Sequence, residues 1–102
     1  MFTTSFIVEN NSGEDIWISP YGVTENNLEV TTIGLEQFIQ KDNSKKFTFD
    51  YDDKMLTYFI IRNKNGTTCN LIASKYYGAN SCCYQPEKEI YSIPPFESLK
   101  CL

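Results

Sequence analysis

A chain of 102 residues with 41% apolar and 15% aromatic side chains has room for one domain with a modest core. Its aromatic and β-branched content excludes a disordered chain, and no run approaches the ~20 apolar residues of a membrane-spanning helix. A net charge of −4 and a single arginine, Arg62, argue against a nucleic-acid partner, because phosphate neutralisation and base reading lean on Arg and Lys.

Residues 2–9 (FTTSFIVE) are the first β-rich run. They lack the positive and apolar regions of a secretory leader, as expected of a cytoplasmic chain or of a mature one whose leader has been removed. Asn10, Asn11, Ser12 and Gly13 then supply turn residues. Residues 15–19 (DIWIS) place Ile16 and Ile18 on one face and Trp17 on the other. Pro20, Tyr21 and Gly22 are expected to end that strand, since proline lacks a ladder donor and glycine permits reversal. Residues 28–33 (LEVTTI) are a third candidate strand. In residues 34–41, Leu35, Phe38 and Ile39 fall at helical spacing, which is compatible with one or two helical turns.

Residues 46–51 alternate cleanly: Phe47, Phe49 and Tyr51 on one face, Lys46, Thr48 and Asp50 on the other. Residues 56–62 (LTYFIIR) are apolar on both faces and are expected to form a central strand covered on each side. Asn63, Lys64, Asn65 and Gly66 signal a hairpin, with residues 67–73 (TTCNLIA) returning. A loop over 74–87 leads to a last strand at 88–93, which Pro94 and Pro95 stop. About seven short strands and at most one short helix predict an all-β fold. The form expected is an antiparallel two-sheet β-sandwich, a single domain over residues 1–102.

Charge is partitioned along the chain. Residues 1–40 hold six acids (Glu9, Glu14, Asp15, Glu25, Glu29, Glu36) and no Lys or Arg, whereas all nine basic residues lie from Lys41 to Lys100. Such an asymmetry attracts a basic partner or a cation; the plainer reading is that the carboxylates keep the protein soluble.

Four cysteines, Cys69, Cys82, Cys83 and Cys101, do not have zinc-site spacing, because no C-x-x-C pair occurs and adjacent residues share one ion poorly. As disulfides they allow three connectivities. Bridging Cys82 to Cys83 needs a strained vicinal ring, so the expected arrangements tie Cys69 to the loop and the loop to Cys101. Each bridge is worth about 2–4 kcal/mol. Four reduced thiols, with Cys69 as a buried hydrophobe, stand beside that reading. Free thiols imply the cytoplasm, bridges a secreted or periplasmic protein.

The chain contains no histidine, which removes the commonest general base near neutral pH and the Ser-His and Cys-His triads. No nucleophile elbow and no Gly-rich phosphate loop occur either, so a non-enzyme without a cofactor is expected. Three features suit binding. Asp50, Asp52 and Asp53 cluster hard oxygens at a strand end, as calcium requires, although the full calcium-loop pattern is absent and tight turns favour Asp on their own account. Residues 75–84 (KYYGANSCCY) have the composition of a binding loop, with Tyr76, Tyr77 and Tyr84 as contact residues among small adaptable ones. Asn10-Asn11-Ser12 and Asn65-Gly66-Thr67 match the N-glycosylation sequon, each in an expected turn.

The opening Phe6-Ile7-Val8-Glu9-Asn10-Asn11 with Ile16-Trp17-Ile18 resembles the start of thaumatin-like domains, with Ser12 where those carry a cysteine. The succession of strand, Asn-Ser turn, Trp-containing strand, basic pair (Lys45, Lys46), aromatic strand and Asn-Gly hairpin also resembles the von Hippel–Lindau β domain, whose ligand-contacting histidine has no counterpart here. Both resemblances imply a β-sandwich and carry no function.

Taken together, the residues predict a non-enzymatic protein-interaction module, such as a small acidic inhibitor or immunity-type protein that neutralises a basic partner. Glu14, Asp15 and Glu25 with Tyr76, Tyr77 and Tyr84 would form its contact surface. The alternative is a secreted or cell-surface module, stapled by disulfides, that binds a glycan or calcium.

Overall fold

The computed structural model describes residues 3–24, 27–50, 54–73 and 89–102. Among these residues nine strands follow one another: β1 (Thr3–Asn10), β2 (Ile16–Thr24), β3 (Asn27–Thr32), β4 (Gln37–Ile39), β5 (Ser44–Asp50), β6 (Lys54–Asn63), β7 (Thr68–Ile72), β8 (Ile90–Ile93) and β9 (Lys100–Cys101). They make two sheets. The smaller has the order β5-β1-β8; the larger runs β3-β2-β6-β7-β9, with β4 also pairing β2. All pairings are antiparallel except β1 with β8. The expected all-β, two-sheet architecture is present; the two strands beyond the seven expected are the very short β4 and β9.

The core lies between the sheets. Phe6, Val8 and Phe47 of the small sheet face Ile16, Ile18, Leu56, Phe59 and Ile61 of the large one. Phe6 stacks on its cross-strand neighbour Phe47 at 5.4 Å and meets Phe59 of the other sheet edge-on at 5.8 Å. Tyr91 packs edge-on against both Phe6 and Phe59, and its hydroxyl donates to the Ala73 carbonyl at 2.9 Å, so burial leaves its polar tip satisfied.

Fully buried Asn10 ties the β1–β2 turn to β4. Its amide donates to the carbonyls of Glu14 (2.8 Å) and Ile39 (3.0 Å), and its oxygen accepts from the Ser12 amide and hydroxyl. Gly13, at φ 87°, turns the chain there in a backbone region that other residues avoid.

Three expectations change. Pro20 does not end its strand: β2 continues to Thr24, and Pro20 sits opposite Phe59 with its ring buried. The Pro20 carbonyl accepts from Ile33, so the side that lacks an N–H faces the gap where β4 has stopped at Ile18 and β3 has not begun. No ladder donor is missed there. Residues 37–39 are extended rather than helical, because pairing with β2 sends Phe38 outward and Ile39 into the core. The helical turn that does occur is a 3-10 turn, Phe96–Ser98, which seats Phe96 in the core. Finally, β6 is central, and among the described residues only one of its faces is covered: Leu56, Phe59 and Ile61 point inward, whereas Tyr58, Ile60 and Arg62 are half-buried on the other side. A register shift opposite Tyr21 and Gly22 is what lets both Leu56 and Phe59 face the core.

Candidate functional site

The side of the large sheet that points away from the core is where the sequence and the fold disagree most. Strand register arranges its outward residues in three rows. Phe38, Trp17, Arg62 and Thr68 make the first, across β4, β2, β6 and β7. Ser19, Ile60, Asn70 and Lys100 make the second, across β2, β6, β7 and β9. Thr32, Tyr21, Tyr58 and Ile72 make the third, across β3, β2, β6 and β7. Side chains alternate between sheet faces, so a buried Ile16, Ile18, Phe59 and Ile61 require these neighbours to point away from the core.

The rows are internally ordered. The Arg62 guanidinium lies over the Trp17 ring, 4.7 Å from its centroid, and forms a bidentate pair with Glu36 (Nη2 to Oε1 3.0 Å, Nε to Oε2 3.3 Å). Phe38 packs on Trp17 at 5.0 Å with the rings tilted by 52°. Tyr21 and Tyr58 stack across the strands at 5.5 Å. An exposed cation–π contact contributes about 0.5–1 kcal/mol, and a surface ion pair about 0–1 kcal/mol. Such contacts fix side-chain geometry more than they stabilise the fold. Phe38 remains 44% exposed and Ile72 66% exposed, at opposite ends of the grid.

Of the residues singled out from the sequence, the described ones lie away from this face. Glu14 and Asp15 sit in the β1–β2 turn, where Asp15 accepts the Lys41 backbone N–H at 2.8 Å and thereby fastens the β4–β5 turn. Tyr76, Tyr77, Tyr84, Glu25, Asp52 and Asp53 lie outside the described residues, as do Cys82 and Cys83. Asp50 closes β5 opposite Thr3. Among the described residues, no group of three or more His, Cys, Asp or Glu side chains is placed to hold a metal ion.

Charge that is partitioned along the chain is interleaved in space. Glu36 pairs with Arg62, and β1, which carries Glu9, lies against β5 with its lysines 45 and 46. Lys45 occupies an inward register position opposite Val8 on the edge strand and reaches the Phe38 carbonyl at 3.4 Å. A charge so placed on an edge strand discourages further strand pairing. Beside it opens a cleft of about 290 Å³ lined by Pro20, Ile33, Leu35 and Phe47, with both lysines and Gln37 at its walls. Among the described residues no carboxylate lines it.

The disulfide differs from both arrangements expected. Cys69 bonds to Cys101, a pairing that the argument against a vicinal bridge had set aside. β7 and β9 are adjacent and place the two residues directly opposite each other, which the separation of 32 residues along the chain does not disclose. The bond therefore fastens the C-terminal segment across the end of the core and does not tie Cys69 to the loop.

Comparison with protein-family models, with curated proteins and with solved structures finds no match for this chain. What can be read of its function comes from the outward grid, the disulfide and the described surfaces. The signal that could have located the grid is the run Thr57–Arg62, too apolar for a half-exposed strand, together with Trp17 opposite a buried Ile16–Ile18 pair.

Proposed function

We propose that the protein is a non-enzymatic, extracellular binding module that takes a protein partner on the outer face of its six-stranded sheet. One observation carries the reading: a sheet face that contributes nothing to the core presents Trp17, Phe38, Tyr21, Tyr58, Ile60 and Ile72 in register, with Arg62 and Lys100 among them. Trp, Tyr and Arg are the residues that dominate binding energy at protein interfaces, and apolar centres with polar edges are their usual form. Ser19, Thr32, Thr68 and Asn70 supply such polar edges here.

A protein partner is favoured over a glycan by the ring orientations. Arg62 covers one face of Trp17, and Tyr21 and Tyr58 face each other, so these rings offer edges and hydroxyls more than open faces for a sugar. The Cys69–Cys101 bond supports the extracellular part of the reading, since structural disulfides persist in oxidising compartments. The absence of histidine from the whole chain supports a binder over an enzyme.

Trp17 is the chain's one tryptophan and reports on this face directly. The test is a binding screen of the full chain against a panel of purified extracellular proteins and, in parallel, a glycan array. A protein hit that shifts Trp17 emission and weakens at least tenfold with Ile72→Lys, but not with Ile90→Lys on the other sheet, is expected. Binding that survives Ile72→Lys and Phe38→Ser unchanged, or binding to glycans alone, overturns the assignment.

A further inference from the structure

The two sequons, Asn10-Asn11-Ser12 and Asn65-Gly66-Thr67, end up in opposite environments. Asn10 is fully buried, and both hydrogens of its amide are committed, to Glu14 and Ile39. Its oxygen accepts two bonds from Ser12, which is buried as well. A carboxamide with two donors and two acceptor sites in use has nothing left to offer, and an attached sugar there would displace β4 from the turn. Asn65, by contrast, lies at the tip of the β6–β7 hairpin, with Lys64, Gly66 and Thr67 exposed around it.

The hairpin is built so that Asn65 is not needed to hold it. Gly66, at φ 84°, takes the left-handed position, and its N–H closes the turn onto the Asn63 carbonyl at 3.1 Å. The buried side chain of Asn63, not that of Asn65, accepts the N–H groups of Asn65 and Thr67, each at 3.0 Å. The Asn65 carboxamide makes no hydrogen bond among the described residues and projects from a loop tip, where bulky additions are tolerated.

We propose that Asn65 is the N-glycan acceptor of this protein and that Asn10 is not one in the folded chain. The donor is an oligosaccharide linked through a pyrophosphate to a polyprenyl lipid. The Asn65 amide nitrogen bonds to the anomeric carbon, the bond from that carbon to the pyrophosphate oxygen breaks, and the lipid pyrophosphate leaves with the electron pair. The nitrogen gives up one proton to the transferase, and nothing is oxidised or reduced. Thr67 completes the recognition sequence and is exposed beside it. A sugar at Asn65 lies at the end of the sheet beyond the Arg62–Thr68 pair, so it flanks the aromatic grid without covering it.

This inference rests on the extracellular part of the proposed function. The full chain is to be secreted from a eukaryotic host behind a cleavable leader and mapped by peptide mass spectrometry. Amidase release of the glycan in heavy-oxygen water marks each acceptor as a labelled Asp. The expected result is a single labelled site, Asn65, with the mobility shift lost in Asn65→Gln and in Thr67→Ala. An unmodified Asn65 peptide, or label at Asn10 in the folded secreted protein, overturns the inference. Alkylation of the protein from its native source reads the compartment independently: free Cys69 and Cys101 there overturn the extracellular reading, whatever the secreted protein shows at Asn65.

Discussion

The two sheets turn very different faces to the solvent. On the small sheet the outward positions of β1, β5 and β8 hold Ser5, Glu9, Ser44, Lys46, Thr48 and Ser92 around one apolar pair, Ile7 beside Ile90. Asn11 donates to Ser92 across that face at 2.8 Å, as polar neighbours do where water competes. On the large sheet half of the corresponding positions are aromatic or branched aliphatic (Trp17, Phe38, Tyr21, Tyr58, Ile60 and Ile72), with Arg62 among them. Both sheets close the same core with the same alternation, so the difference is not a requirement of folding. Phe38 and Ile72 are exposed and the other four are half-buried, and apolar side chains arranged in register, and not scattered singly, are what supports the proposed docking face.

The contrast can be broken in three ways. The largest effect belongs to the inner side of β6: Phe59→Ala should cost about 3–5 kcal/mol in chemical denaturation, because a fully buried ring in an aromatic cluster leaves a cavity. Removing the Cys69–Cys101 bond by Cys69→Ala with Cys101→Ser comes next, at about 2–4 kcal/mol below the oxidised wild type, with the reduced wild type as the control that separates bond from side chain. A loss below about 1 kcal/mol would mean that β9 and Phe96 stay seated on packing alone. The smallest and most telling pair compares the outward faces. Tyr58→Ala should cost only about 1 kcal/mol, although its chain neighbour is Phe59, and Ile90→Thr less than about 0.5 kcal/mol. If Tyr58→Ala instead rivalled Phe59→Ala, the aromatic grid would be a device for stability, and the case for a docking face would weaken.

Much of the fold was legible from residue order. Alternation in residues 46–48, the Asn-Gly hairpin and the turn at Asn10–Gly13 all appear where local pattern places them, because turns and strands of this kind depend on neighbours two to four residues away. Pro20 misled for a geometric reason. A missing N–H ends a strand only if a partner strand stands opposite it, and here β3 and β4 divide one edge of β2 and leave the gap at that point. Leu35, Phe38 and Ile39 misled because three residues can satisfy helical spacing and strand alternation equally.

The candidate site was harder to see than the fold. Reading 56–62 as covered on both sides is the usual inference from a strand apolar on both faces, and it holds for sheets packed between layers. A two-layer sandwich has only one interior, so the second apolar face had to be outward. The acids of the first 40 residues are segregated in sequence, but antiparallel pairing of β1 with β5 and of β2 with β6 sets early strands beside later, lysine-bearing ones. The same long-range pairing brought Cys69 and Cys101 together.

Local chemistry alone settled that this chain forms short strands, where it turns, and which side of each alternating strand is apolar, because those properties are decided within a few bonds of each residue. Which strands become neighbours, which cysteines meet, which of two sequons is buried and which apolar face turns away from the core were decided by the closing of two sheets on one core. Those outcomes depend on contacts between residues tens of positions apart, and no local preference encodes them.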